Sequence, residues 1–275
     1  MSRSSQRSTI KDMTNGSPAK LILGFAVPML MGLLFQQFYS MVDTIIVGKF
    51  LGVDALASVG STSAINFMIN GFVIGVCTGF SIPVAQRFGA QDYKDMRRFV
   101  ANAGWIASCF AVVMTVIVCL MTRQILVWMQ TPDNVLDLAA LYLRIYFLGM
   151  PFFMLYNYGA AILRAVGDTK RPLLFLIVAG VINACLNLLL VIAFHLGVAG
   201  VAIATVTAQF VSCVLVLRCL YKSDSSYQLR FSKLMIKKVY LGQIFQVGIP
   251  AGIQSTVINF SNVLLQSSVH SFGSV

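Results

Sequence analysis

Residues 21–47 read LILGFAVPMLMGLLFQQFYSMVDTIIV, an apolar run interrupted on one side by a few polar groups. At a rise of about 1.5 Å per residue such a run forms a helix about 40 Å long, enough to cross a bilayer with tilt. Within it Gln36, Tyr39 and Asp43 stand at i, i+3 and i+7 and share one helical face. Lipid would penalise all three, so this face must look into a helical bundle or a wet cavity. Pro28 and Gly32 lie upstream and make a bend in this helix plausible.

The rest of the chain repeats the pattern. Further apolar spans cover residues 55–84, 99–121, 136–163, 173–194 and 198–220, and a seventh runs from about 239 to 269. The second is punctuated by Gly71, Gly75 and Gly79, which reads as a broken helix. The fold expected is all-α, a polytopic membrane bundle of six helices (21–221) and the start of a second unit. Residues 1–20 read as a polar cytoplasmic tail, 222–238 as a basic cytoplasmic linker, and 239–275 as the first helix of a further lobe. The tail has no early apolar stretch closed by a small-residue site, so it is no signal peptide and the first run stays as a helix.

Composition agrees: 58% of the 275 residues are hydrophobic and 11% charged, far fewer than in soluble domains. The net charge of +11 could point to nucleic acid. The basic residues instead lie in short gaps between apolar runs, without any nucleic-acid motif, which excludes that partner. Arg87, Lys94, Arg97 and Arg98 occupy the second gap, Arg164, Lys170 and Arg171 the fourth, and a further cluster the sixth; the first, third and fifth gaps offer Lys49 and Arg123. This asymmetry places the N-terminus in the cytoplasm of a multi-pass protein of the cytoplasmic membrane, with lipid as its surround. The six cysteines fall inside apolar runs with no CxxC pair, and read as small hydrophobes. GxxxxGK[ST], HExxH and GxSxG are absent, so neither ATP hydrolysis nor another enzymatic activity is expected, and no cofactor.

Asp43 is the one acidic residue deep in a span; the chain contains no Glu. Asn183 and Asn187 share a face of the fifth span at i and i+4, and Thr205 and Thr207 lie in the sixth. A carboxylate, amide carbonyls and a hydroxyl are hard oxygen donors suited to Na⁺, and a carboxylate alone can carry H⁺. The structural alternatives are an ion pair of Asp43 with Arg144 and hydrogen bonds between helices through the asparagines. The thirteen Met and twenty Phe either line an adaptable pocket for apolar drugs or simply pack helices. One internal echo suggests a parallel repeat: ILGFAVP at 22–28 resembles IFQVGIP at 244–250 and aligns the first span with the seventh.

At these residues the sequence resembles the multidrug and toxic compound extrusion (MATE) family, from about Ala19 onward. The resemblance rests on VDTIIVG (42–48), PVAQRFGAQ (83–91), LRAVGDTKRP (163–172), NACLN (183–187) and GVAGVAIAT (197–205). It implies twelve helices in two six-helix lobes around a central cavity, and efflux of drugs and organic cations driven by inward Na⁺ or H⁺. It also implies a cation site at Asp43, Asn183, Asn187 and Thr205, and a substrate cavity faced by Gln36, Tyr39 and Asn157. Two departures stand out. Asn187 is Asp in some members, and residues 252–266 hold no acidic group. A six-helix unit with one further helix implies that a second lobe completes the intact protein. The competing readings are a flippase for lipid-linked precursors, with Arg144 as the candidate for the diphosphate, and an inactive half-protein or scaffold.

Overall fold

The computed structural model describes residues 17–129, 131–222 and 238–271. The expected tail and basic linker fall mostly outside the described residues. Eight helices follow in order: α1 Pro18–Phe50, α2 Gly52–Gly89, α3 Tyr93–Trp128, α4 Asp133–Leu148, α5 Met150–Ala165, α6 Lys170–Leu188, α7 Gly197–Lys222 and α8 Lys238–Ser271. A π-helical turn, Leu189–Ala193, ends α6. No strand occurs among the described residues, and the fold is the all-α membrane bundle expected.

Connections are tight. α1 passes into α2 through Leu51 and Gly52, where a φ of +84° is open to glycine and strained for other residues. Asp92 caps α3 by accepting from the Asp95 amide at 3.2 Å. Asp168, fully buried in the turn before α6, accepts from the Arg171 amide at 3.2 Å and pairs with Arg171 Nε at 3.3 Å. Burial pushes its carboxyl above the ordinary range, and the Arg171 contacts only partly offset this.

Two span expectations are corrected. The fourth is not one helix: α4 and α5 meet at a 46° bend around Gly149. Pro151, one residue into α5, has no N–H to return to the carbonyl four residues back, and Gly149 tolerates the change of direction. The second span, expected to be broken by its glycines, is instead one continuous helix of 38 residues. Those glycines form a seam for α8. A Cβ on Gly79 would lie 2.6 Å from Gly248 Cα, and one on Gly75 would lie 2.7 Å from the Ala251 carbonyl oxygen. Small residues here let two backbones meet, the usual device where apolar helices associate without help from water. The seventh apolar run forms one helix, α8, close to the bounds expected. Five helices, and α4 with α5 as a sixth, are long and apolar enough to cross a membrane, and α8 is not among them. Its 34 residues suffice in length, but Gln243, Gln246, Gln254, Ser255, Thr256 and Asn259 dilute its apolar character.

One end of the bundle is tied by polar contacts. Tyr240, at the start of α8, donates to Asp95 Oδ1 at 2.9 Å and accepts from Arg98 at 3.2 Å. Its ring stands edge-on to Phe99 at 4.8 Å. Arg171 also donates to Cys219 near the end of α7. The α2–α3 and α5–α6 turns, the end of α7 and the start of α8 therefore share one side, as six crossings require. The core lies among α2 to α7, with Phe80, Phe99, Phe147, Met154 and Tyr158 fully buried. α1 stands apart: only Ile46 and Val47 are buried along its 33 residues.

Candidate functional site

α1 carries Asp43 to the side of the bundle where α6 presents its asparagines. Asn183 and Asn187 are buried, one turn apart on α6, and Thr205 is buried on α7. Asn187 Nδ2 donates to Asp43 Oδ1 at 2.5 Å and to Asn183 Oδ1 at 3.1 Å. Thr205 Oγ1 lies 3.2 Å from the Asn183 amide and donates to the Val201 carbonyl at 3.0 Å. The four residues singled out in the sequence thus meet in one cluster drawn from three helices.

The Asn183 amide is best satisfied with its nitrogen toward α1 and its oxygen toward α7. With the nitrogen toward α1 it donates to Asp43 Oδ1 at 2.7 Å, and its oxygen accepts from Thr205 Oγ1 at 3.2 Å. The carboxylate is then held by two amide N–H donors. Reversed, an amide oxygen faces the carboxylate oxygen, two acceptors at hydrogen-bond distance that need a proton or a cation between them. Asn187 Oδ1 is also buried without a donor. A carboxylate with an amide oxygen and a hydroxyl close by is a set of hard oxygen donors, of the kind a monovalent cation or a proton takes.

Asp43 joins no ion pair among the described residues: the three pairs are Arg87–Asp92, Arg98–Asp95 and Arg171–Asp168. The Arg144 pairing weighed as a structural alternative is therefore not formed, and Arg144 is exposed on α4. Thr207 is spent on the Ile203 carbonyl.

Tyr39, one turn before Asp43, lies within its electrostatic reach and close to Tyr146 and Tyr156. Its Cβ packs near Gly180 on α6. Gln36 is half-buried on the same face of α1. Asn157 is buried on α5 and donates to its own Phe153 carbonyl at 2.8 Å; no hydrogen bond among the described residues joins it to the Asp43 cluster. The sequence reading missed Tyr142 and Tyr146 on α4, whose stacked rings sit 6.1 Å apart, with Tyr142 in electrostatic reach of Asp43. It also missed Asn70, which donates to the Tyr146 hydroxyl at 2.8 Å.

A bundle of five or six apolar helices that gathers a carboxylate and amides on one inward face is a polytopic membrane protein. Residues 28–189 match the model of the MatE family, and the chain belongs to that family. It is 33% identical over 259 residues to a protein of Bacillus subtilis named probable multidrug resistance protein YoeA, covering 91% of this chain and 56% of that protein. A second Bacillus subtilis relative, probable multidrug resistance protein YpnP, is 29% identical over 263 residues, covering 95% of this chain and 58% of that protein. Among solved structures, an outward-facing multidrug resistance MATE family transporter of the MOP superfamily superposes with a TM-score of 0.85 at 25% identity. That superposition covers 92% of this chain and 56% of the solved one. The chain thus spans about half the length of the curated relatives it matches.

Proposed function

We propose that the intact protein is a cation-coupled multidrug antiporter of the cytoplasmic membrane, exporting organic cations and drugs against inward Na⁺ or H⁺. Its N-terminus faces the cytoplasm, and a second lobe, beginning with α8, completes the transport path. The observation that carries the reading is Asp43 held by the amides of Asn183 and Asn187, with Thr205 behind them and no basic partner among the described residues. An acidic group inside a membrane lobe, lacking a fixed counter-ion, is suited to exchanging partners.

The chemistry follows from the amides. With no cation bound, the N–H groups of Asn183 and Asn187 hold the carboxylate. A proton on Asp43, or Na⁺ beside it, favours the reversed Asn183 amide, whose oxygen then faces the new donor or cation. Only a ligand with different affinity for two arrangements shifts their balance, and the coupling ion does so by changing what Asp43 accepts. Drug and ion then occupy the lobe in alternation, with Gln36, Tyr39 and Asn157 facing the drug. Membrane lipid is the surround, and neither nucleic acid nor enzymatic turnover has a part.

The test is ethidium efflux from cells expressing the full-length protein or its Asp43→Asn variant at equal level. The variant is expected to lose active efflux. Efflux at the wild-type rate removes Asp43 from the mechanism.

A further inference from the structure

A second polar group inside the lobe has no part in the scheme above. Asn70 on α2 donates from Nδ2 to the Tyr146 hydroxyl at 2.8 Å, and the Gln209 amide on α7 comes up beside the same hydroxyl. Asn66 stands one turn from Asn70 on the same face of α2. The oxygens Asn66 Oδ1, Asn70 Oδ1 and Gln209 Oε1 are all shut off from solvent and accept no hydrogen bond. A phenol has one proton, which can serve one of these oxygens. Buried acceptors of this kind are normally paired, and several together ask what donor they await.

The backbone is shaped to bring them there. A Cβ on Gly149 would stand 3.0 Å from Gln209 Oε1 and 2.7 Å from Val206 Cγ2, so glycine at the bend is what lets the Gln209 amide reach α4. The bend interrupts a membrane span, and interrupted spans are where transporters place binding groups. The stacked rings of Tyr142 and Tyr146 add aromatic faces, which attract cations. No basic side chain makes a hydrogen bond or ion pair with these residues among those described. The cluster is acceptor-rich and aromatic, and calls for a positive group that brings its own N–H donors.

We propose that Asn70, Tyr146 and Gln209, with Asn66 as an outer acceptor, form a recognition subsite for the N–H-bearing ammonium or guanidinium end of a cationic substrate. The subsite rests on the transport reading for the supply of such cations, but not on Asp43. A quaternary ammonium offers the same charge to the rings and nothing to the amide oxygens. The subsite therefore discriminates by hydrogen-bond donors, by about 10-fold in affinity for one charge-assisted bond gained or lost.

The experiment uses purified full-length protein in detergent, without any ion gradient. Binding of 4-phenylbutylammonium and of its N,N,N-trimethyl analogue is measured by calorimetry for the wild type, Asn70→Leu, Gln209→Leu and Gln209→Glu. The wild type is expected to favour the primary ammonium by about 10-fold. Both leucine variants are expected to bring the two probes to parity, and the carboxylate of Gln209→Glu to widen the preference. Equal binding of the probes by the wild type, no binding of either, or a preference that survives both leucine changes overturns the subsite. A protein that shows the preference yet fails to expel dye keeps the subsite and overturns the transport reading instead.

Discussion

Replacing Gly79 by alanine tests the α2–α8 seam. The new methyl would stand 2.6 Å from Gly248 Cα, 2.9 Å from Ala251 Cβ and 3.0 Å from the Val247 carbonyl oxygen. Carbon atoms rest at roughly 3.5–4.0 Å, so the helices must part by about 1 Å at this level. Two of the three obstacles are backbone, and no rotamer relieves them. Overpacking of this kind costs about 1–3 kcal/mol. The natural control is Gly60→Ala in the same helix, where a Cβ meets nothing within 4 Å. There the loss of glycine's backbone freedom stabilises the helix by roughly 0.5–1 kcal/mol. The two variants should therefore differ by about 1.5–4 kcal/mol, read as a drop of several degrees in melting temperature. The assay is thermal unfolding of the detergent-solubilised full-length protein, each variant measured against wild type. If Gly79→Ala melts at or above Gly60→Ala, the close approach of these backbones is refuted.

Three further outcomes are expected. Thr205→Val keeps shape but removes the hydroxyl beside the Asn183 amide, and should weaken cation binding by about 10-fold; titration of Na⁺ or of protons against wild type decides it, and an unchanged affinity removes Thr205 from the site. Tyr240→Phe keeps the ring on Phe99 but loses the bonds to Asp95 and Arg98, and should cost about 0.5–1.5 kcal/mol in thermal stability; Asp95→Asn in the same background should then add little. For Asp168 the sign follows from its raised folded value: the native state holds the proton more tightly than the unfolded chain, so this group's stabilising effect is complete below the ordinary carboxylate range and fades as pH rises through the folded value. Asp168→Asn should flatten the stability profile across that interval, and an unaltered slope would count against the burial argument.

Much of this was legible because the background is so apolar. Against runs of Leu, Val and Ile, a lone Asp and a pair of Asn one turn apart announce an inward face, and the bundle brings Asp43, Asn183 and Asn187 together. The same rule applied to Asn66 and Asn70, also one turn apart, points to the second polar group. Glycine misled because intrinsic propensity counts Gly71, Gly75 and Gly79 as breakers, whereas a packed seam pays for them in contact. Gly149 and Pro151 were the opposite case, a true break concealed inside a run of uniform hydropathy. Arg144 could not be excluded as a partner for Asp43 by spacing, since helical position says nothing of which face a neighbouring helix presents.

The helix that carries Asp43 is also the one least fastened to its neighbours, with just two buried side chains near its far end. A rod buried at one end and only half-buried along its contact with α6 tilts with little loss of buried surface. In the proposed antiport, whatever grips its single carboxylate acts on a lever that reaches back to Pro18, about 38 Å along the helix. In that scheme the loose fit of α1 turns a local preference of the ion into a mechanical one.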